Sequence, residues 1–207
     1  MEDGTQPRFQ GIAFEHDLVL IKTGFDGSIP MNAAVSFLAN QPTPETCSVV
    51  IFTPDSKLYD DSEHASMPLE VDEWLLANGS RGGISKLLSR LSIVRVVDLA
   101  QLAVCLSAFP ADSLQQEWPK DGIMIILHDI STLSKLNSEQ DLGRLLAIVG
   151  HGIGALRGCS GVKKFIIFDG HLSASTERIL KCYLTQESIV DGRETEGPRR
   201  GVGDRRD

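Results

Sequence analysis

The chain has 207 residues, 42% of them hydrophobic, and a formal net charge of -8. That length suits one domain with a sizeable core, and the acidic balance excludes capture of nucleic acid by the surface as a whole, though not by a local basic patch. The cysteines, Cys47, Cys105, Cys159 and Cys182, form no Cys-x-x-Cys pair and lie in or beside apolar sequence. They read as buried free thiols of a reducing compartment, cytoplasmic or nuclear. No apolar run reaches the roughly 18 residues that a membrane-spanning helix requires.

Residues 1–10 are polar and aperiodic and read as a flexible arm; residues 11–186 read as the folded domain. Leu18 to Lys22 is a short apolar strand ending at Thr23-Gly24. Gly24 to Ser28 makes a turn, and Pro30 stands where the first turn of a helix accepts proline, so Met31 to Ala39 continues as a helix. Ser48 to Thr53 is a second strand, rich in β-branched residues and closed by Pro54-Asp55. Leu69 to Ala77 is a weak helix, and Ile84 to Leu91 places four apolar residues on one helix face.

Ile93 to Val97 is a third strand, followed by an apolar helix from Leu99 to Phe109 that Pro110 stops. Ala111 to Gly122 is a polar loop anchored by Trp118-Pro119, and Ile123 to Leu127 is a fourth strand running into His128-Asp129. Leu142 to Leu156 is a helix that carries Gly143, Gly150, Gly152 and Gly154, a poor composition by propensity that close packing on a sheet would explain. Phe165 to Phe168 is a fifth strand, ending in Asp169-Gly170-His171, and Thr176 to Leu184 is a last helix. Residues 187–207 are charged and glycine-rich, with almost no large apolar side chains, and read as a disordered tail. Its arginines are offset by its own acids.

Continuous apolar strands alternating with helices call for an α/β fold, a mostly parallel sheet flanked by helices on both faces. Ligands of such sheets bind at the carboxyl ends of the strands. After the first strand, a phosphate-binding loop would read G-x-x-x-x-G-K-[ST]. The aligned window is Gly24-Phe25-Asp26-Gly27-Ser28-Ile29-Pro30-Met31. Gly24 fits. Ile29 replaces the second glycine, Pro30 the lysine and Met31 the hydroxyl, while Asp26 puts a negative charge where phosphate would sit. Pro30 also lacks an N–H to offer. No cofactor is expected, and nucleotide hydrolysis at this loop is not.

Asp55, Asp129 and Asp169 lie at strand ends, where aspartate caps the turn or helix that follows. A metal or acid–base site built from Asp129, Asp169 and His171 is the alternative, and a metal-dependent hydrolase its consequence. No H-x-x-x-H spacing and no G-x-S-x-G elbow supports it. His16 and His64 lie in polar contexts and are expected on the surface; His151, among small apolar residues of a helix, is expected to be partly buried.

The order of parts resembles the RecA-type ATPase core, with Ile123 to Asp129 standing at that family's second nucleotide motif, whose aspartate helps to position Mg²⁺. Without the first motif, Asp129 marks a degenerate position. Among RecA-like proteins lacking the phosphate loop, the chain is similar to the family of the sixth Elongator subunit. The likeness rests on Asp26-Gly27-Ser28 followed by a helix containing Ser36-Phe37-Leu38, and on Ile125 to Ser131 (IILHDIS). His128 departs from that family by replacing the first aspartate of a pair, and the polar tail replaces its further strands. The resemblance implies a non-catalytic subunit, partnered by other RecA-like subunits in a hetero-oligomeric ring that binds tRNA and assists modification of the wobble uridine. Recombinase paralogues, accessory proteins of homologous recombination and DNA repair, share the frame and are the second reading.

Overall fold

A computed structural model describes residues 14–22, 27–60, 68–80, 82–108, 121–133, 139–157 and 161–186. Expectations about residues 1–10, Gly24, Asp26, His64, residues 111–120, Cys159 and residues 187–207 lie outside them.

The chain runs β1 (Leu18–Ile21), α1 (Ile29–Ala39), a 3-10 turn (Pro44–Thr46), β2 (Cys47–Pro54), α2 (Lys57–Asp60), α3 (Val71–Asn78), α4 (Ile84–Leu88), β3 (Leu91–Val96) and α5 (Leu99–Ala108). It continues through β4 (Gly122–His128), α6 (Ile130–Leu133), α7 (Glu139–Leu156), β5 (Val162–Phe168), α8 (Ala174–Leu180) and β6 (Thr185–Gln186). The strands form one sheet in the order β3-β2-β4-β5-β1-β6, and every pairing is parallel. This is the expected α/β fold.

The strands are continuous apolar runs because both faces of the sheet are covered. Side chains alternate between the faces along each strand. Val19, Ile21, Val49, Ile51, Met124, Ile126, Ile166 and Phe168 pack under α1, α3 and α4, with Trp74 and Ile84. Leu20, Val50, Phe52, Ile123, Ile125, Leu127, Phe165 and Ile167 pack under α5, α7 and α8, with Leu102, Leu145 and Leu180. At roughly 1.5–3 kcal/mol for each large side chain buried, these two layers dominate the stability of the domain. Trp74 also donates its indole N–H to Asn32 Oδ1 at 2.7 Å, fixing α3 across α1.

Several expectations need correction. A sixth strand is present: Thr185–Gln186 pairs with β1, where the sequence suggested no strand beyond the helix ending at Leu184. Two residues are too few for any periodicity to register. Among the helix glycines of α7, only Gly152 is packed against the sheet, where an added Cβ would lie 2.1 Å from the Phe165 ring. Gly143, Gly150 and Gly154 face open space. His151 is exposed rather than partly buried, because it falls on that same outer side of α7, whereas His16 is exposed as expected. Of the thiols, Cys47 is buried, Cys105 half-buried and Cys182 exposed; Cys182 lies in the turn between α8 and β6. No helix among the described residues is long and apolar enough to cross a membrane.

Candidate functional site

Connections leave the carboxyl edge of the sheet toward opposite faces. After β1 the chain enters α1 on one face, whereas after the neighbouring β5 it enters α8 on the other. The adjacent strands β2 and β4 diverge in the same way. Such divergence opens a crevice at the strand ends, where α/β sheets bind ligands. The polar residues singled out at the strand ends therefore do meet along this edge.

Backbone hydrogen bonds lock the edge first. Asp129 N–H donates to Phe168 O at 2.8 Å, and Asp169 N–H donates to Ile21 O at 3.0 Å, tying the ends of β4, β5 and β1 together. Asp129 then takes a left-handed conformation, φ 50°. That costs an L-residue energy, least when its short polar side chain bonds locally. Asp129 does so: its carboxylate accepts from Ser131 Oγ at 3.1 Å and from Thr132 Oγ1 at 2.9 Å. Asp169 accepts from Ser131 N–H at 2.7 Å, from Ser131 Oγ at 2.9 Å and from His171 N–H at 2.8 Å. The two contacts of Ser131 Oγ compete, since one hydroxyl carries one proton.

Asp129 and Asp169 thus converge through Ser131, with both carboxylates almost wholly buried. Burial pushes the Asp169 carboxyl up to about 6, helped by the neighbouring Asp129, while its backbone and hydroxyl donors pull the other way. His128, the last residue of β4, is buried too, and its Nδ1 lies 3.0 Å from Thr53 Oγ1 of β2. Burial drives its imidazole down to about 4, against the attraction of Asp129. It is therefore neutral at pH 7. A carboxylate at position 128 would add another buried negative charge beside Asp129, and the neutral ring avoids that cost.

Of the expected grouping of Asp129, Asp169 and His171, the two carboxylates come together through Ser131, and His171 meets Asp169 through its backbone N–H. Among the described residues, no cluster of three or more His, Cys, Asp or Glu side chains is arranged to hold a metal ion. Asp169 accepts the Ser131 N–H in the first turn of α6 and the His171 N–H of the turn that follows β5, and Asp55 Oδ1 likewise accepts Lys57 N–H at 3.1 Å where β2 turns into α2. Ser131 and Thr132 were invisible as site residues in the sequence; an Asp-x-Ser-Thr run after an apolar strand is the signal that points to such a cap.

Just before α1 the chain packs on itself. Gly27 is buried, and an added Cβ there would meet Pro68 O at 2.3 Å and Glu70 Cγ at 3.0 Å. The segment leading into α3 thus lies directly over Gly27. Ser28 precedes the helix with αR geometry and makes no side-chain cap, and Pro30 and Met31 are buried. Met31, at the position a Mg²⁺-binding hydroxyl would occupy, is 1% exposed and belongs to the core under α1. Lys22, at the end of β1, donates to Glu177 at 2.7 Å. Glu177 also pairs with Lys181 at 2.7 Å, and these two ammonium groups, Lys181 foremost, hold its carboxyl below the ordinary range.

No family model matches the sequence, and no curated protein matches it. Among solved structures, one that is similar is the monomer form of the conjugation coupling protein TcpA of pCW3 with ATPγS. It is 12% identical, with a TM-score of 0.36, and the match covers 77% of this chain. The chain spans 44% of that protein's length.

Proposed function

We propose that this chain is a non-catalytic RecA-like subunit that acts by binding other proteins and does not hydrolyse nucleotide. The observation that carries the reading is the β1–α1 corner. Its helix begins with a buried proline and a buried methionine, its glycine turn is covered by Pro68–Glu70, and the lysine ending β1 is paired with Glu177. A triphosphate needs free N–H donors, a cation and room for close backbone approach; here Lys22 is already engaged and Gly27 already covered. The frame supports the RecA-like part of the reading: β1 with its degenerate loop and β4 with Asp129 end on one edge, on either side of β5.

The specific reading is a subunit of an Elongator-type ring, with other RecA-like subunits as partners, assisting tRNA binding and wobble-uridine modification in the cytoplasm or nucleus. It rests on the resemblance of the Asp26-Gly27-Ser28 turn and of the Ile125 to Ser131 strand end. Affinity purification of the tagged chain from its own cells tests it. Recovery of the other ring subunits, with loss of wobble-uridine modification on deletion, is the expected result. Recovery of a recombinase, with sensitivity to DNA damage on deletion, transfers the chain to the recombinase-paralogue reading. Isothermal titration of the pure chain with Mg²⁺-ATP is expected to give no heat of binding; a micromolar, Mg²⁺-dependent isotherm refutes the non-catalytic reading itself.

A further inference from the structure

Before entering β1 the chain doubles back across β5. Residues 14–17 belong to no helix or strand, and Glu15, His16 and Asp17 are exposed. Phe14 packs against the apolar layer under α1, its ring edge-on to Phe168 with centroids 6.2 Å apart and planes at 69°. Asp17 closes the segment at its other end, where its carbonyl accepts the Phe165 N–H at 2.7 Å. The segment thus lies along β5 from Phe165 toward Phe168, the last residue of that strand. The Phe168 carbonyl in turn accepts the Asp129 N–H at the carboxyl edge.

Lys164 of β5 fastens this segment. Its side chain points to the same face of the sheet as Ile166 and Phe168, and only 12% of it is exposed. Its ammonium meets three oxygens of the segment: Phe14 O at 3.1 Å, His16 O at 2.7 Å and Asp17 Oδ1 at 3.2 Å. An ammonium has three N–H donors and no acceptor, so one group spends its whole donor set here. Hydrogen bonds from a charged donor are the strong ones, and an apolar side chain at 164 would leave two main-chain carbonyls without this donor. The buried apolar contribution of the segment is the Phe14 ring, since the three residues after it are exposed. Segments with few buried apolar contacts open locally, at lower free energy than the sheet they cover.

We propose that residues 14–17 form a strap that opens and closes as a unit over the α1 side of β5 while the sheet stays folded, with the Lys164 ammonium as its latch. Opening lifts the Phe14 ring and bares one side of Phe168 beside the carboxyl-edge crevice. The strap then gates an apolar surface on a domain that acts by binding proteins. That gating role rests on the partner-binding reading above; the opening itself does not.

Native-state hydrogen exchange of the full chain, read by NMR at low urea concentrations, is the experiment. The Phe165 amide reports the strap, because it donates to Asp17 O. The amides of Ile125 and Ile126 report the sheet, since β4 is paired on both sides. Phe165 is expected to exchange faster than they do, at a rate that low urea scarcely changes, whereas theirs rises steeply. Lys164→Met speeds Phe165 exchange by about tenfold or more, the scale of one charge-assisted hydrogen bond, and Lys164→Arg, which keeps the charge, by less. Leu102→Ala, in the core on the opposite face of the sheet, speeds Ile125 and Ile126 and leaves Phe165 unchanged. Phe14→Ala also speeds Phe165, and keeps the test available where Lys164→Met does not fold. Exchange of Phe165 in step with Ile125 and Ile126 across urea and variants overturns the proposal. So does a Phe165 rate indifferent to Lys164→Met or Phe14→Ala, and equal effects of Lys164→Met and Lys164→Arg overturn the role of the charge. None of these readouts involves a partner or nucleotide, so failure here is distinguishable from failure of the proposed function.

Discussion

Substituting His128 by asparagine should expose a pH dependence that the wild-type protein conceals. Two buried groups at the carboxyl edge titrate in opposite senses over one window. The His128 imidazole falls from its ordinary 6.5 to about 4, so the folded state binds fewer protons than the unfolded state between those values and stability rises with pH there. Asp169 rises from 3.8 to about 6. The folded state then binds more protons, and stability is lost as pH climbs through that interval. At about 1.4 kcal/mol per decade of proton affinity, each gap is worth about 3 kcal/mol, an order-of-magnitude figure. The contributions nearly cancel between pH 4 and 6.5. His128→Asn keeps a hydrogen-bonding group near Thr53 and removes one of the two. Urea unfolding of both proteins at intervals across this range is the assay. The stability of wild type relative to the variant should increase by about 3 kcal/mol from pH 4 to 6.5, a comparison in which surface carboxylates such as Glu177 drop out. A difference that stays constant across the window would refute the assignment of His128 as a buried neutral base.

Ser36 is buried in α1 with a hydroxyl that has no hydrogen-bond partner among the described residues, so Ser36→Ala should stabilise the domain by about 1 kcal/mol in chemical denaturation. Glycines two residues apart in α7 should respond with opposite signs. Gly152→Ala drives a methyl into the Phe165 ring and should cost about 1–3 kcal/mol, whereas Gly150→Ala should gain up to about 1 kcal/mol of monomer stability. Met31→Ser, which places a hydroxyl at the phosphate-loop position, should lower stability by about 2–5 kcal/mol, the scale of a large-to-small change in a core. Titration calorimetry of that variant should still detect no Mg²⁺-ATP binding, since the side chain at 31 faces the core.

The alternation of apolar strands with helices, and the absence of a phosphate-loop lysine and hydroxyl from residues 24–31, were legible in the sequence because both are local properties. A buried parallel strand announces itself as an unbroken apolar run, as Ile123 to Leu127 does. A missing lysine, hydroxyl and N–H are absent whatever the fold. Asp129 and Asp169 could be named as strand-end residues; Asp169 holds the His171 N–H of the turn that follows it, as expected, whereas the Asp129 carboxylate holds the hydroxyls of Ser131 and Thr132.

What tertiary structure decided were relations between distant segments. Only the strand order brings Asp169 beside Asp129, places His128 against Thr53 from 75 residues away, and sets Pro68–Glu70 over Gly27. The glycines of α7 look alike in sequence, yet one packs on Phe165 and three face outward, because helical phase relative to the sheet distributes them. The two-residue β6 exists only because β1 offers an edge for it. Protonation at the carboxyl edge likewise depends on burial, which no single residue's neighbours along the chain determine.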